Sequence, residues 1–133
     1  MREISLKTER KTQLIEITDR VREALDGVNG ASAALVYVPH TTAGVAINER
    51  IDPELVTDLE NAFQRVVGDD WDWRHEDADG PNAPSHARAS LASSPQVLIP
   101  LRDGTLALGT YQGVFFCEFD GPRERKIYVT ALA

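Results

Sequence analysis

Cysteine is nearly missing from this chain. Cys117 is the only one in 133 residues, so neither an internal disulfide nor a cysteine-only zinc site can form. It lies in the apolar run Val114-Phe115-Phe116-Cys117, which reads as a buried, inert thiol rather than a nucleophile. Long hydrophobic runs are also lacking: nothing approaches the ~20 residues that a membrane-spanning helix needs. No basic-then-apolar leader follows Met1. Basic residues are outnumbered, with 14 Lys and Arg against 21 Asp and Glu for a net charge of −7. That balance argues against a nucleic-acid partner, because a phosphate backbone is held by clustered Lys and Arg. It leaves room for a small phosphorylated metabolite, which one local arginine or a metal can hold. The expectation is a soluble, cytoplasmic protein with no membrane partner.

What is present describes one domain over residues 1–133, long enough to bury a core. Ile4 and Leu6 alternate with Glu3 and Ser5, predicting a half-buried strand over Arg2–Thr8, and Gln13–Ile17 predicts a second. Thr18 is expected to N-cap a short helix that turns Val21, Ala24 and Leu25 inward and stops at Gly27. The apolar run Ala33–Val38 predicts a strand covered on both faces, and Val45–Ile47 a paired one. Asp52-Pro53 marks a helix start, with Leu55, Leu59, Phe63 and Val66 at helical spacing before Gly68. Residues 69–84 are acidic and turn-rich, long for a loop in a compact domain and therefore expected to serve function or cover a ligand. Ser85–Ser93 predicts a third helix. Strands follow at Val97–Leu101, Thr105–Gln112, Val114–Phe119 and Lys126–Leu132, with turns at Asp103-Gly104 and Asp120-Gly121-Pro122. The fold class expected is α+β, mostly antiparallel and sandwich-like, with about three helices.

The only three histidines stand in three separate polar segments: His40, His75 and His86. Neutral imidazole suits both proton transfer near pH 7 and a divalent metal, and three imidazoles with an open position recur at catalytic zinc. The eleven-residue gap between His75 and His86 excludes helical pairing, so spacing alone divides evenly between a metal set and a solvated acidic loop. Glu76, Asp77, Asp79 and Asn82 add oxygen donors nearby. His40 follows a strand and precedes Thr41, Thr42 and Gly44, with Asn48 and Glu49 just beyond. Glu118, Asp120 and Arg123 surround a turn. A semi-buried Glu118 carboxylate would suit proton transfer, with Arg123 as its ion-pair partner or as a forked donor to phosphate. Arg125 and Lys126 read as surface charges. Trp71 and Trp73 serve either to stack on a heteroaromatic ligand or to pin their loop to the fold.

Taken together, Pro39-His40-Thr41-Thr42-Ala43-Gly44-Val45-Ala46-Ile47-Asn48-Glu49, then Asp79-Gly80-Pro81-Asn82-Ala83-Pro84-Ser85-His86, then Gly109-Thr110-Tyr111-Gln112 and Glu118-Phe119-Asp120-Gly121-Pro122-Arg123 resemble the YjbQ family. This is also called the secondary thiamine-phosphate synthase family. The resemblance implies an α+β homotrimer with pockets near subunit interfaces. It implies a divalent metal, zinc in the first instance and magnesium for a pyrophosphate substrate, near His40, His75 and His86. It implies a weak transferase activity that joins a pyrimidine pyrophosphate to a thiazole phosphate with release of pyrophosphate. Glu118, Arg123 and Asn48 would be catalytic, with Thr41, Thr42, Asn82, Gln112 and Asp120 contacting substrate. The alternatives are a metal-dependent hydrolase of a phosphorylated metabolite and a non-catalytic metal- or metabolite-binding protein. Tyr111 where tryptophan is common, and Gly80-Pro81 ahead of Asn82, depart from the pattern.

Overall fold

Two antiparallel sheets face each other across the main core, and two helices cover the outer face of the smaller sheet. The structure, a computed structural model, describes residues 1–76 and 80–133. In chain order the elements are β1 (Arg2–Lys7), β2 (Gln13–Glu16), α1 (Thr18–Ala24), β3 (Ala33–Tyr37), β4 (Ala43–Glu49), α2 (Pro53–Gln64), α3 (Ala83–Ala92), β5 (Gln96–Arg102), β6 (Thr105–Leu106), β7 (Gln112–Glu118) and β8 (Glu124–Leu132). The larger sheet runs β1-β8-β3-β5-β6 and the smaller β2-β7-β4. This is the α+β sandwich that the alternation predicts. Among the described residues no helix is long and apolar enough to cross a membrane.

The strand buried on both faces is β7, not β3. Along β3 only Ala34 and Val36 point into the core, while Tyr37 is exposed, so a uniformly apolar run conceals an alternating strand. In β7, Val114 and Phe116 enter the core between the sheets, with Ile4, Val36, Ile127 and Val129 from the opposite sheet. Phe115 and Cys117 turn the other way and pack with Leu14, Phe119 and Ala89 beneath Leu59 and Phe63 of α2. Burying a phenylalanine contributes roughly 1.5–3 kcal/mol. Three of them in one strand and its exit are therefore comparable to the ~5–15 kcal/mol net stability of a typical domain. Cys117 is fully buried, and burial pushes its thiol up to about 12. It is inert, as its surroundings in sequence predict.

Several local expectations change on folding. Thr18 lies inside α1 with Ile17 at the cap, and its hydroxyl accepts a bond from the Val114 amide at 2.9 Å. The Asp52 carboxylate does cap α2, accepting from Glu54 N at 2.9 Å. Val56 rather than Leu55 joins the apolar cluster, and Val66 is exposed. The strand expected over Thr105–Gln112 is only Thr105–Leu106, after a hairpin turn in which Asp103 and Gly104 take φ of 53° and 80°. Both central residues having positive φ is the turn geometry that matches strand twist. Buried Glu60 ties α2 to β2, accepting from Leu14 N at 2.8 Å and from both terminal nitrogens of Arg10 at 3.0 Å.

Candidate functional site

Glu118 and Arg125 organise the site end of the sandwich. Inward positions alternate along β7 as Val114, Phe116, Glu118 and along β8 as Arg125, Ile127, Val129, so the last inward residue of one sheet meets the first of the other. Glu118 is fully buried and Arg125 is 5% exposed. Arg125 donates from Nε to Glu118 Oε1 at 2.8 Å and from Nη2 to Oε2, and Nη2 also reaches the Thr42 hydroxyl at 2.9 Å. Glu118 further accepts from the Thr8 hydroxyl at 2.7 Å and from the amides of Phe119 and Asp120 at 3.0 and 2.9 Å. Every lone-pair direction of this carboxylate is therefore occupied. Glu118 is a positioning residue, not the expected general base, and its partner is Arg125, not Arg123. Arg125 is correspondingly not a surface charge.

The turn that leaves β7 carries the next layer. Arg123 pairs with Asp120 at 2.8 Å, and its Nε donates to the Asp120 carbonyl at 2.9 Å. Asp120 in turn accepts from Asn82 Nδ2 at 3.1 Å and from the Ser85 hydroxyl at 3.5 Å. The negative carboxylate thus lies at the N-terminal end of α3, where a helix favours it. His86 follows one turn into α3. His75 lies edge-on to it, with ring centroids 5.1 Å apart and planes at 88°. Arg88, also from α3, is buried and donates to the carbonyls of Gln64 and Val67 at 2.8 and 3.1 Å, closing the C-terminal end of α2. It also bonds Asp69 at 3.0 Å, fixing the start of the segment that bears the tryptophans and His75. Trp73 donates to Gly68 O at 2.8 Å while Trp71, stacked on it, stays exposed. Pinning is thus the role of Trp73.

His40 is half-buried beyond the end of β3, and its Nε2 accepts from the Lys126 amide at 3.0 Å. That bond puts the proton of the neutral ring on Nδ1. Burial, reinforced by the positive charge of Arg125, holds the ring below the ordinary imidazole range. His40 borders three hollows. One of ≈ 290 Å³ is shared with Thr41, Thr42, Asn82, His86, Asp120, Arg123 and Arg125. One of ≈ 550 Å³ is lined by Lys7, Arg125 and Lys126, and one of ≈ 400 Å³ by Thr41, His86 and Ser90.

Most of the expected site residues therefore converge, but Asn48 and Gln112 do not. Asn48 is six residues along β4 from Thr42, about 20 Å at strand rise. Gln112 pairs with Glu49 at that same far end and accepts from Gly109 N at 2.8 Å. Thr42 is absorbed into the Arg125 network, whereas Thr41 is exposed at the cleft. Asp77 and Asp79 lie outside the described residues. The three imidazoles do not fit a shared ion as arranged: the His40 lone pair is engaged by a backbone amide. No group of three His, Cys, Asp or Glu able to hold a metal occurs among the described residues. The residues that sequence reasoning missed are Arg125 and Arg88. The first had a signal, since the inward alternation of Ile127 and Val129 extends back to it.

The fold and this cleft define a two-sheet α+β protein with a histidine- and arginine-lined pocket at one end of the sandwich. The family model described as UPF0047 protein YjbQ-like matches residues 2–133, and the chain belongs to that family. It is similar to the UPF0047 protein YugU of Bacillus subtilis, 39% identical over 133 residues that cover 97% of this chain and 96% of the relative. UPF0047 protein MJ1081 of Methanocaldococcus jannaschii is 38% identical over 130 residues, covering 93% and 88%. Among solved structures, the hypothetical protein APE1520 from Aeropyrum pernix K1 superposes with a TM-score of 0.89 at 37% identity, covering 99% of this chain and 97% of that one. A yjbq/upf0047 family protein from Clostridium acetobutylicum gives 0.88 at 40%, covering 99% and 100%.

Two predictions follow from the geometry. Glu118→Leu strands a buried guanidinium and is expected to cost roughly 3–5 kcal/mol. The double variant Glu118→Leu/Arg125→Met removes both charges and should be the more stable of the two in urea unfolding. The second concerns pH. The folded His40 binds its proton more weakly than the unfolded chain does, so stability is full above about pH 6.5 and falls as pH drops through that value. Urea midpoints recorded from pH 7.5 to 5.5 should show this slope, and His40→Gln should reduce it.

Proposed function

We propose that the cleft around His40 and His86 is an active site for a small phosphorylated metabolite. The reaction we propose is a thiamine-phosphate-synthase-like transfer of a pyrimidine unit from its pyrophosphate to a thiazole phosphate. The observation that carries the reading is convergence: His40, Thr41, Asn82, His86, Asp120 and Arg123, far apart in sequence, border one hollow. A structural role alone gives no reason for two half-buried imidazoles to border that hollow with an exposed threonine.

The chemistry asked of the site is modest. A carbon–oxygen bond to pyrophosphate breaks, the thiazole nitrogen supplies the electron pair for the new carbon–nitrogen bond, and pyrophosphate leaves with its charge. What the protein must supply is orientation and stabilisation of that departing charge. In a chain of net charge −7, the hollow beside His40 is lined by Lys7 and Lys126 against one acidic side chain, Glu124, the charge of Arg125 being met by buried Glu118. This local excess of positive charge favours the pyrophosphate there. His86, whose Nε2 has no partner among the described residues, is available to hydrogen-bond the substrate. His40 is kept neutral and serves to shape the boundary between the two hollows.

We further propose assembly of three copies through the outer face of the larger sheet. That face leaves Tyr37 39%, Leu98 61% and Leu132 38% exposed, a hydrophobic surface unusual for a protein that acts alone.

Turnover of the pyrimidine pyrophosphate with the thiazole phosphate, followed by pyrophosphate release or fluorescence of the oxidised product, tests the activity. His86→Ala is expected to lose about tenfold or more in kcat/KM, the worth of a hydrogen bond to substrate held in the cleft. Asn48→Ala should stay within about threefold, since Asn48 lies far from the cleft along β4. Tight binding with no product over many hours would make this a binding protein instead. For assembly, light scattering should give a mass near three chains, and Leu98→Glu should give one. A wild-type mass of one chain overturns that part.

A further inference from the structure

Two polar atoms beside the cleft have no partner among the described residues although water barely reaches them: Asn82 Oδ1 and His86 Nε2. Asn82 is 8% exposed. Its amide orientation is set by chemistry, because its other arm meets the Asp120 carboxylate at 3.1 Å and a carboxylate only accepts. The nitrogen must face Asp120, which leaves the oxygen as the unsatisfied atom. Asn82 caps α3 and His86 is four residues on, so the two side chains start from one face of the first turn. Both residues border the hollow that holds Asp120 and Thr41. Buried polar groups without partners are rare and costly, and each calls for something that satisfies it.

We infer that this wall binds the donor–acceptor edge of a ligand: an amino or amide N–H seated on Asn82 Oδ1, beside a ring nitrogen or carbonyl that accepts a hydrogen bond from His86 Nε2. The wall does not take the ligand's phosphate. Asn82 Oδ1 is an acceptor and the Asp120 carboxylate is its neighbour, so a phosphate oxygen would meet two like-signed oxygens. The anionic end goes instead to the far side of His40, where Lys7 and Lys126 line the larger hollow. This gives the ligand a direction: heterocyclic edge against the start of α3, phosphate toward the end of β1 and the start of β8. His75 is exposed and packs against His86 beside this wall.

The inference rests on the proposed function and adds to it which group each wall reads. It is tested by titration calorimetry on the full chain with two probes. One is the pyrophosphate ester of an aminomethylpyrimidine carrying its exocyclic amino group, and the other is the same ester with that group replaced by hydrogen. Inorganic pyrophosphate is the reference. The expected result is that the amino compound binds about tenfold or more tightly than its analogue, the usual worth of one well-placed hydrogen bond. Asn82→Ala should abolish the difference while leaving pyrophosphate affinity unchanged. Equal affinity of the two esters for the unaltered protein overturns the inference alone, and a buried water then satisfies both atoms. Failure of both esters to bind overturns the proposed substrate and this inference together. The comparison of esters on the unaltered protein decides the matter even where Asn82→Ala does not fold.

Discussion

Between the two sheets the carboxylate of Glu118 meets the guanidinium of Arg125, and nearly all of the site's geometry follows from how that pair is satisfied. Removing two such ions from water costs several kcal/mol each, which attraction offsets only when the remaining hydrogen-bonding positions are filled. They are filled by parts of the chain that sequence separates widely. Thr8 comes from the end of β1, Thr42 from the approach to β4, and the amides of Phe119 and Asp120 from the exit of β7. The pair therefore brings four stretches to one place. The His40 loop lies two residues from Thr42, and the Asp120–Arg123 turn begins where Glu118 ends. A hydrophobic pair of equal volume would hold the sheets together but would not specify where those polar loops go.

A second layer transmits this order to the helices. Asp120, oriented next to the Glu118 network, receives Asn82 and Ser85 at the start of α3, and so places His86. Arg88, one turn further on, closes the end of α2 and holds Asp69. The cleft is thus assembled from a rigid polar network on the sheet side and a helix start on the other. Among the described residues, the segment bearing Trp71 and His75, beside His86, is largely exposed. That asymmetry, fixed walls with one exposed flank, suits a pocket that must admit a ligand whose partners on the protein are already placed.

Legibility in the sequence followed the strength of local signals. Period-two alternation in Arg2–Lys7 and the closing strand, the Asp52-Pro53 helix start and the Asp103-Gly104 turn each depend on neighbours within a few residues, and each forms where expected. The run Ala33–Val38 misled because apolarity of both faces does not say whether both are covered. Tyr37 and its neighbours lie on a sheet face that the described chain leaves open, whereas β7 receives helices on its second face. The strand expected through Thr105–Gln112 breaks after Leu106, since pairing needs a partner strand and none follows it there. Among site residues, Asn48 is expected at the cleft because it lies just beyond His40 in sequence, and Gln112 because of the resemblance. A strand carries its residues away at about 3.3 Å each, and six residues suffice to leave the cleft.

Composition and pattern alone determined the class of the fold, the acidic character, the inert thiol and the resemblance to the YjbQ family, because these depend on residue type and short-range order. Which carboxylate pairs with which guanidinium, which nitrogen of His40 is engaged, and which side chains share a wall were decided only by tertiary structure. Those facts depend on long-range pairing of the two sheets, where Glu118 and Arg125 are seven residues apart but enter from opposite layers, and Thr8 joins them from 110 residues away. No local rule contains that information. It is set by the register in which β7 and β8 place their last inward positions against each other.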